Sequence, residues 1–194
     1  MLRAEDVANY FLANQDARRG GSISNLKLQK LCYYAQGICL AVLERPMFLD
    51  HIEHWQHGPV VRTLYGRYQP FGSKALTPPD NLNLQLYDPE TKDLLDKVYQ
   101  LYGQDSAWEL RNKTHAEDPW LNTPEGSPIS HKQMRAYFQS LPSLYEDFGE
   151  PDRESLRHFP EIPQVMSDLK KGMKEFKSGR MVAWDEVKEE LDIE

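Results

Sequence analysis

Apolar residues return at helical spacing through most of the first 141 positions of this chain. From Arg3 to Asp16, Val7, Tyr10, Phe11 and Asn14 fall on one face, which predicts a first helix that Ala17-Arg18-Arg19-Gly20-Gly21 breaks. The strongest pattern runs from Ser24 to Glu44, where Leu28, Leu31, Ala35, Ile38 and Val42 repeat at three and four residues. Ser22 and Ser24 are available as caps, and Pro46 is the stop. Phe48 to Gln56 is short and alternating, which predicts a strand or an extended loop. Pro59 suits the first position of a helix reaching about Tyr68, because its missing amide hydrogen would be unpaired there anyway. Pro70, Gly72, Pro78 and Pro79 mark a loop, and Leu82, Leu84 and Leu86 alternate as one short strand would. Three more helices are expected: from Asp88-Pro89-Glu90 to near Gly103, from Asp105 to His115, and from Ser130 to Leu141.

The texture then changes. Pro142 to Pro163 is rich in proline and charge, as linkers are. Beyond it, Ile162, Met166, Leu169, Met173 and Phe176 form a helical seam. Gly179 can close that helix, Met181-Val182-Ala183-Trp184 is an apolar run, and Asp185 starts a last helix with Val187 and Leu191 on one face. The pattern predicts an α+β, mostly helical body over residues 1–141 with a small short-stranded sheet. A linker over 142–163 and an amphipathic tail over 164–194 follow.

Charge sharpens this division. Residues 1–144 hold 15 basic against 16 acidic side chains, whereas 145–194 hold 8 against 14, so nearly all of the net charge of −7 is in the last quarter of the chain. An acidic amphipathic end suits a basic protein surface and repels nucleic acid phosphate. The length of 194 residues and 40% hydrophobic content allow one ordinary core plus an appendage. Cys32 and Cys39 are too few for a disulfide framework and fit a reducing cytoplasm. The first turns carry charges and no long apolar run, so neither a signal peptide nor a membrane span is expected.

Several clusters invite a chemical reading. His51, His54 and His57 could meet one metal if helical, but on a strand His54 points away from the other two, so no metal site is predicted. His115-Ala116-Glu117 has the H-x-E start of zinc deaminases, yet no cysteine follows Cys39. Cys32 or Cys39 paired with His57 or His115 would make a nucleophile, although both thiols lie on an apolar helix and are expected to be buried. Gly20-Gly21-Ser22 with Arg18 and Arg19 could hold an anion, or be a flexible turn. His115, Glu117 and Asp118 could bind a cation, but Asp118-Pro119-Trp120 reads better as a turn tucking Trp120 into the core. Arg62, Tyr65, Arg67 and Tyr68 interleave charge and aromatics, a slight footprint for nucleic acid on so acidic a chain. No catalytic residue and no cofactor are predicted.

Three blocks in order resemble a known family. Ser24 to Gly37 (SNLKLQKLCYYAQG), Ile52 to Val61 (IEHWQHGPVV) and Ser106 to Trp120 (SAWELRNKTHAEDPW), with Ile129 to Phe138 behind, are similar to the Panacea domain, also called the SocA-like or GepA-like antitoxin domain. The residues carrying this resemblance include Lys30, Tyr34, Trp55, His57, Gly58, Pro59, Val60, His115, Pro119 and Trp120. It implies a mostly helical fold with a small sheet, found in antitoxins of bacterial and phage toxin–antitoxin pairs, and no enzyme activity. The shared domain in such proteins is joined to a variable flank that fits a particular toxin, and one member type is an adaptor that brings its toxin to a protease.

The tail from Phe176 to Leu191 is similar to the toxin-wrapping ends of RelB-like and Phd-like antitoxins. Met166, Leu169, Met173, Phe176, Met181, Val182, Trp184, Val187 and Leu191 are the expected partner anchors, with Glu186, Glu189 and Glu190 facing basic residues of a toxin. The expected partner is a basic toxin encoded adjacently, with a protease as a second partner in the adaptor alternative. Folding back on the body or a homodimer seam would be another use of the tail, and autoregulatory DNA binding stays open without a helix-turn-helix signature.

Overall fold

A computed structural model of the chain describes residues 1–15 and 22–148, all within one unit, Met1–Glu150. The predicted tail anchors from Met166 to Leu191, the arginine–glycine turn at Arg18 to Gly21, and the linker beyond Phe148 lie outside the described residues.

Helix α2 (Asn25–Val42) is the axis of the fold, and burial along it is continuous from Lys27 to Ala41. The Ser24 hydroxyl accepts from the Lys27 amide at its start, as the sequence suggested. Around it pack α1 (Ala4–Ala13), α4 (Pro89–Tyr102), α5 (Ala107–His115), α7 (His131–Gln139) and a two-stranded antiparallel sheet. An amphipathic helix needs one buried stripe, but an axial one is buried all round. Its polar side chains therefore have to find partners inside.

They do so by pinning loops and strands. The Gln36 side chain accepts from the Met47 and Phe48 amides and donates to the Phe48 carbonyl. Gln29 accepts from the Val61 amide, Lys30 donates to the Pro59 carbonyl, and Lys27 donates to the Gly103 carbonyl. These backbone groups lie in the loop at Met47-Phe48, along the segment Pro59–Val61, and at Gly103, the C-cap of α4, where helix or sheet bonding leaves them open to a side chain.

Strands β1 (Ile52–Trp55) and β2 (Gly58–Val61) form a hairpin in which Ile52 faces Val61 and Trp55 faces Gly58. The helix expected from Pro59 begins only at Arg62, as α3 (Arg62–Tyr68). The reason is the turn at Gln56-His57, closed by Gly58 at φ 93°, a left-handed conformation that favours glycine and commits the next residues to pairing. Pro59 sits at a sheet edge, where a missing amide costs no ladder bond. The free side of β1 is covered by residues 126–129, through bonds such as His54 N to Ser127 O and Ile129 N to Ile52 O.

Two further expectations are corrected. Leu84–Leu86 is a 3-10 turn with Leu84 and Leu86 half exposed, not a strand: among the described residues it pairs with no strand, and Asn83 caps the turn at Gln85. The first residues of the proline-rich stretch are not linker-like: Pro142–Phe148 forms α8, anchored by buried Leu144. Helices α1, α2, α4, α5 and α7 lie where the pattern expected them, and capping boxes at Ser106–Glu109 and Ser130–Gln133 start the last two. No described helix is long and apolar enough to cross a membrane.

Candidate functional site

The residues carrying the family resemblance converge where the hairpin meets α2, α5 and the short helix α6 (Asp118–Leu121). Lys30 lies on the floor, fully buried, with its Nζ 2.9 Å from the Pro59 carbonyl. Burial, followed by the field of Arg111, lowers its pKa to about 7. Gly58 closes over it: a Cβ there would come within 2.8 Å of both Lys30 Nζ and Thr114 Oγ1. Val60 and Pro119 are also buried.

Glu117 turns inward from the start of α6. Tyr33 donates to its Oε2 at 2.8 Å and Tyr34 to its Oε1 at 2.9 Å, an acceptor site in which both lone-pair faces are used. Burial pushes this carboxyl up to about 7, against the lowering effect of the two phenols and of Lys113. Both phenols are held protonated far above their ordinary range, by burial first and Glu117 second. Tyr34 also stacks on Tyr102 with ring centroids 4.0 Å apart. The sequence did not single out Glu117 as a core acceptor; the signal available was the pair Tyr33-Tyr34 on a helix with no polar face to spare.

The predicted cluster of His115, Glu117 and Asp118 is therefore not brought together. Glu117 is inside, Asp118 is exposed, and His115 stacks on Trp120 at 3.8 Å. Trp120 is half-buried rather than tucked into the core, donating its indole N–H to the Trp55 carbonyl and lying 4.3 Å from the His54 ring. Pro119 and Glu117 take the inner positions because α6 is a single turn anchored at its first residues.

Of the three histidines only His54 lies in a strand, β1, its Nδ1 2.5 Å from the Thr123 carbonyl. Among the described residues no group of three or more His, Cys, Asp or Glu side chains could hold a metal ion. Cys32 and Cys39 are buried and free, and burial raises both thiols, Cys39 to about 12. Such thiols stay protonated and unreactive. The interleaved residues of α3 are compensated: Arg62 pairs with Glu53 at 2.7 Å, Arg67 with Glu5, and Tyr68 is buried.

The outer rim is aromatic and basic. Trp108 is 59% exposed, with the His57 ring 5.9 Å away on the hairpin turn and the Arg111 guanidinium 5.9 Å from its centroid. Trp55 carries Arg62 on its face at 5.4 Å and donates to Glu53. Leu121 is exposed on α6. The arrangement has a sealed polar interior and a stiff, sticky exterior; chemically it can bind, through rings and cations held in fixed positions.

Comparison with known proteins agrees with the three sequence blocks. Residues 28–121 match the Panacea domain of the SocA-like antitoxins. The chain is 31% identical to antitoxin SocA of Caulobacter vibrioides (strain NA1000 / CB15N) over 128 residues, covering 60% of this chain and 68% of that protein. No solved structure matches. The matched segment runs from α2 to α6 and so contains the hairpin, the buried Lys30 and Glu117, and the aromatic rim. The chain belongs to the SocA-like antitoxin family, built on a Panacea domain.

Proposed function

We propose that this protein is the antitoxin of a toxin–antitoxin pair, acting in the cytoplasm by binding a cognate protein toxin directly, without catalysis. One observation carries the reading. The side chains with most chemical potential, Glu117, Lys30, Cys32 and Cys39, are spent inside the fold, while the exposed features of the same elements are rings and cations. Membership of a family whose relative is named an antitoxin supports the same conclusion.

The acidic tail is the toxin-covering segment in this proposal, with Met166, Leu169, Met173, Phe176, Met181, Val182, Trp184, Val187 and Leu191 as apolar anchors and Glu186 among its charges. Ordering such a segment on binding costs a few kcal/mol, so affinity should rest on its apolar side chains more than on its carboxylates. The toxin is a basic protein encoded next to this one.

The test is co-expression with the adjacent gene product. The full chain should rescue growth and co-purify with that product, whereas Trp184→Ala, or a chain ending at Phe148 that keeps α8, should lose both while its circular dichroism stays folded. Full protection by the chain ending at Phe148 would remove the tail from the mechanism. Toxin that disappears only in cells holding an ATP-dependent protease, with no inhibition by the purified pair, would replace direct neutralisation with delivery to a protease.

A further inference from the structure

The partners of the charged groups around α5 do not balance. Four carboxylates there are engaged, while Asp118 points to the exposed side of α6: Glu109 caps Ser106, Asp105 holds Lys113 at 2.6 Å, Glu53 holds Arg62 and Trp55, and Glu117 holds Tyr33 and Tyr34. The cations at its inner edge are not. Among the described residues neither Lys30 nor Arg111 pairs with a carboxylate, and Arg111 spends only Nη1, on the neighbouring Asn112 side chain at 3.0 Å.

Arg111 Nε is buried without a hydrogen-bond partner, and so is Nε2 of His115, one helical turn along the same face of α5. The Nε–Nη2 edge of a guanidinium is the fork that matches the two oxygens of a carboxylate. Here the guanidinium lies 5.9 Å from the ring of the exposed Trp108, which also has the His57 ring beside it, and Lys30 and Arg111 feel each other's field. Arg111, Lys30, His54 and His57 together hold His115 down to about 4, after burial itself, so the ring is neutral at physiological pH and offers one N–H. An anion arriving in this crevice would satisfy the orphaned Arg111 donor and an uncompensated charge at once, and the neutral His115 ring can present its N–H there in the Nε2 tautomer.

We infer that the crevice between the hairpin turn and α5 is a second contact point for the toxin, in which the Arg111 fork and His115 receive a carboxylate of the toxin and Trp108 packs on the apolar part of the residue carrying it. The inference rests on the proposed antitoxin reading and adds a site on the folded body that is separate from the tail. A carboxylate is the better match than a nucleic acid strand, because one bidentate edge serves one carboxylate, whereas a strand needs a row of cations and the neighbouring Arg62 and Lys113 are already paired. Trp and Arg side by side are also the residue types that most often dominate protein interfaces.

The experiment uses the full chain and the purified product of the adjacent gene in calorimetric titrations. Arg111→Lys keeps the charge and removes the fork, and it should weaken the complex at least tenfold. Trp108→Ala, at an exposed position, should do the same, and both variants should melt at the wild-type temperature. Inorganic phosphate should compete with the toxin for the wild type and not for Arg111→Lys. If the toxin binds the wild type and both variants within twofold of each other, the inference is wrong while the antitoxin reading stands. If phosphate binds the free protein through Arg111 but toxin affinity ignores the substitution, the crevice serves a small anion and the toxin contact is refuted. If the wild type does not bind the toxin at all, the antitoxin reading itself has failed.

Discussion

Tyr34 donates its hydroxyl to Glu117 Oε1 at 2.9 Å, joining α2 to the start of α6 across 83 positions of sequence, while Tyr33 donates to the other oxygen. The pair fixes where α6 leaves the core, and α6 carries Trp120 onto the surface beside His115 and His54. A buried acceptor thus positions an exposed ring.

That arrangement titrates. Glu117 is raised from its ordinary value of 4.5 to about 7 in the folded protein, so between these pH values the native state binds more protons than the unfolded state. Its contribution is fully present below pH 4.5 and is lost as pH rises through 7. Glu117→Gln keeps the shape and an acceptor but cannot ionise. Denaturant melts should show the wild type losing stability relative to Glu117→Gln as pH rises through that window, by up to about 1.4 kcal/mol per pH unit. A difference that stays flat across it would mean the carboxylate is ionised at low pH despite its burial.

Lys30 gives the opposite slope in another window. Its folded value is lowered from 10.5 to about 7, so the unfolded chain holds the extra proton between those pH values. Its contribution is complete above pH 10.5 and is lost as pH falls through 7. Lys30→Met fills a similar volume without the charge, and the wild type should gain stability on this variant as pH rises from 7 toward 10.5, read by the same melts. A Lys30→Met variant that tracks the wild type through this range would show the ammonium to be solvated.

Gly37 is set by a close approach. A Cβ at this position would lie 2.0 Å from the Phe138 ring, which is itself held between Tyr33 and Tyr34 on α2. Gly37→Ala ordinarily favours a helix by roughly 0.5–1 kcal/mol. Here overpacking should reverse the sign, destabilising by about 1–3 kcal/mol. Thermal denaturation checks it, and Phe138→Leu in the same chain should recover part of the loss.

Sequence pattern located most helices because each of their signals is local. Ser24, Asp88, Ser106 and Ser130 cap helices at the positions their residue types announce, and periodic apolar residues fill the spans between. The alternation from Phe48 to Gln56, read as a strand or an extended loop, holds β1 for the same reason. Pro59 misled because its preference for a helix start is a local statistic, overruled by pairing with His54. Leu82, Leu84 and Leu86 alternated with nothing to pair against, and Pro142 to Phe148 looked like linker until Leu144 found the core. The identity of the family was legible from three blocks of residues in order.

What the chain order and side-chain types determined by themselves, then, was most of the helices, the hairpin's first strand, the family and the separation of charge into an acidic last quarter. Only the tertiary structure decided which polar residues serve the interior. Lys30, Gln36 and Glu117 look like surface residues in a sequence, since burial costs a charged or amide side chain unless a partner waits. Their partners are the Pro59 carbonyl, the Met47 and Phe48 amides, and the Tyr33 and Tyr34 hydroxyls. The phenols stand 83 and 84 positions from the carboxylate they cap, a pairing no local pattern encodes. The same long-range packing leaves Arg111 Nε and His115 Nε2 without hydrogen-bond partners, because which atoms remain unsatisfied depends on every element that arrives around them.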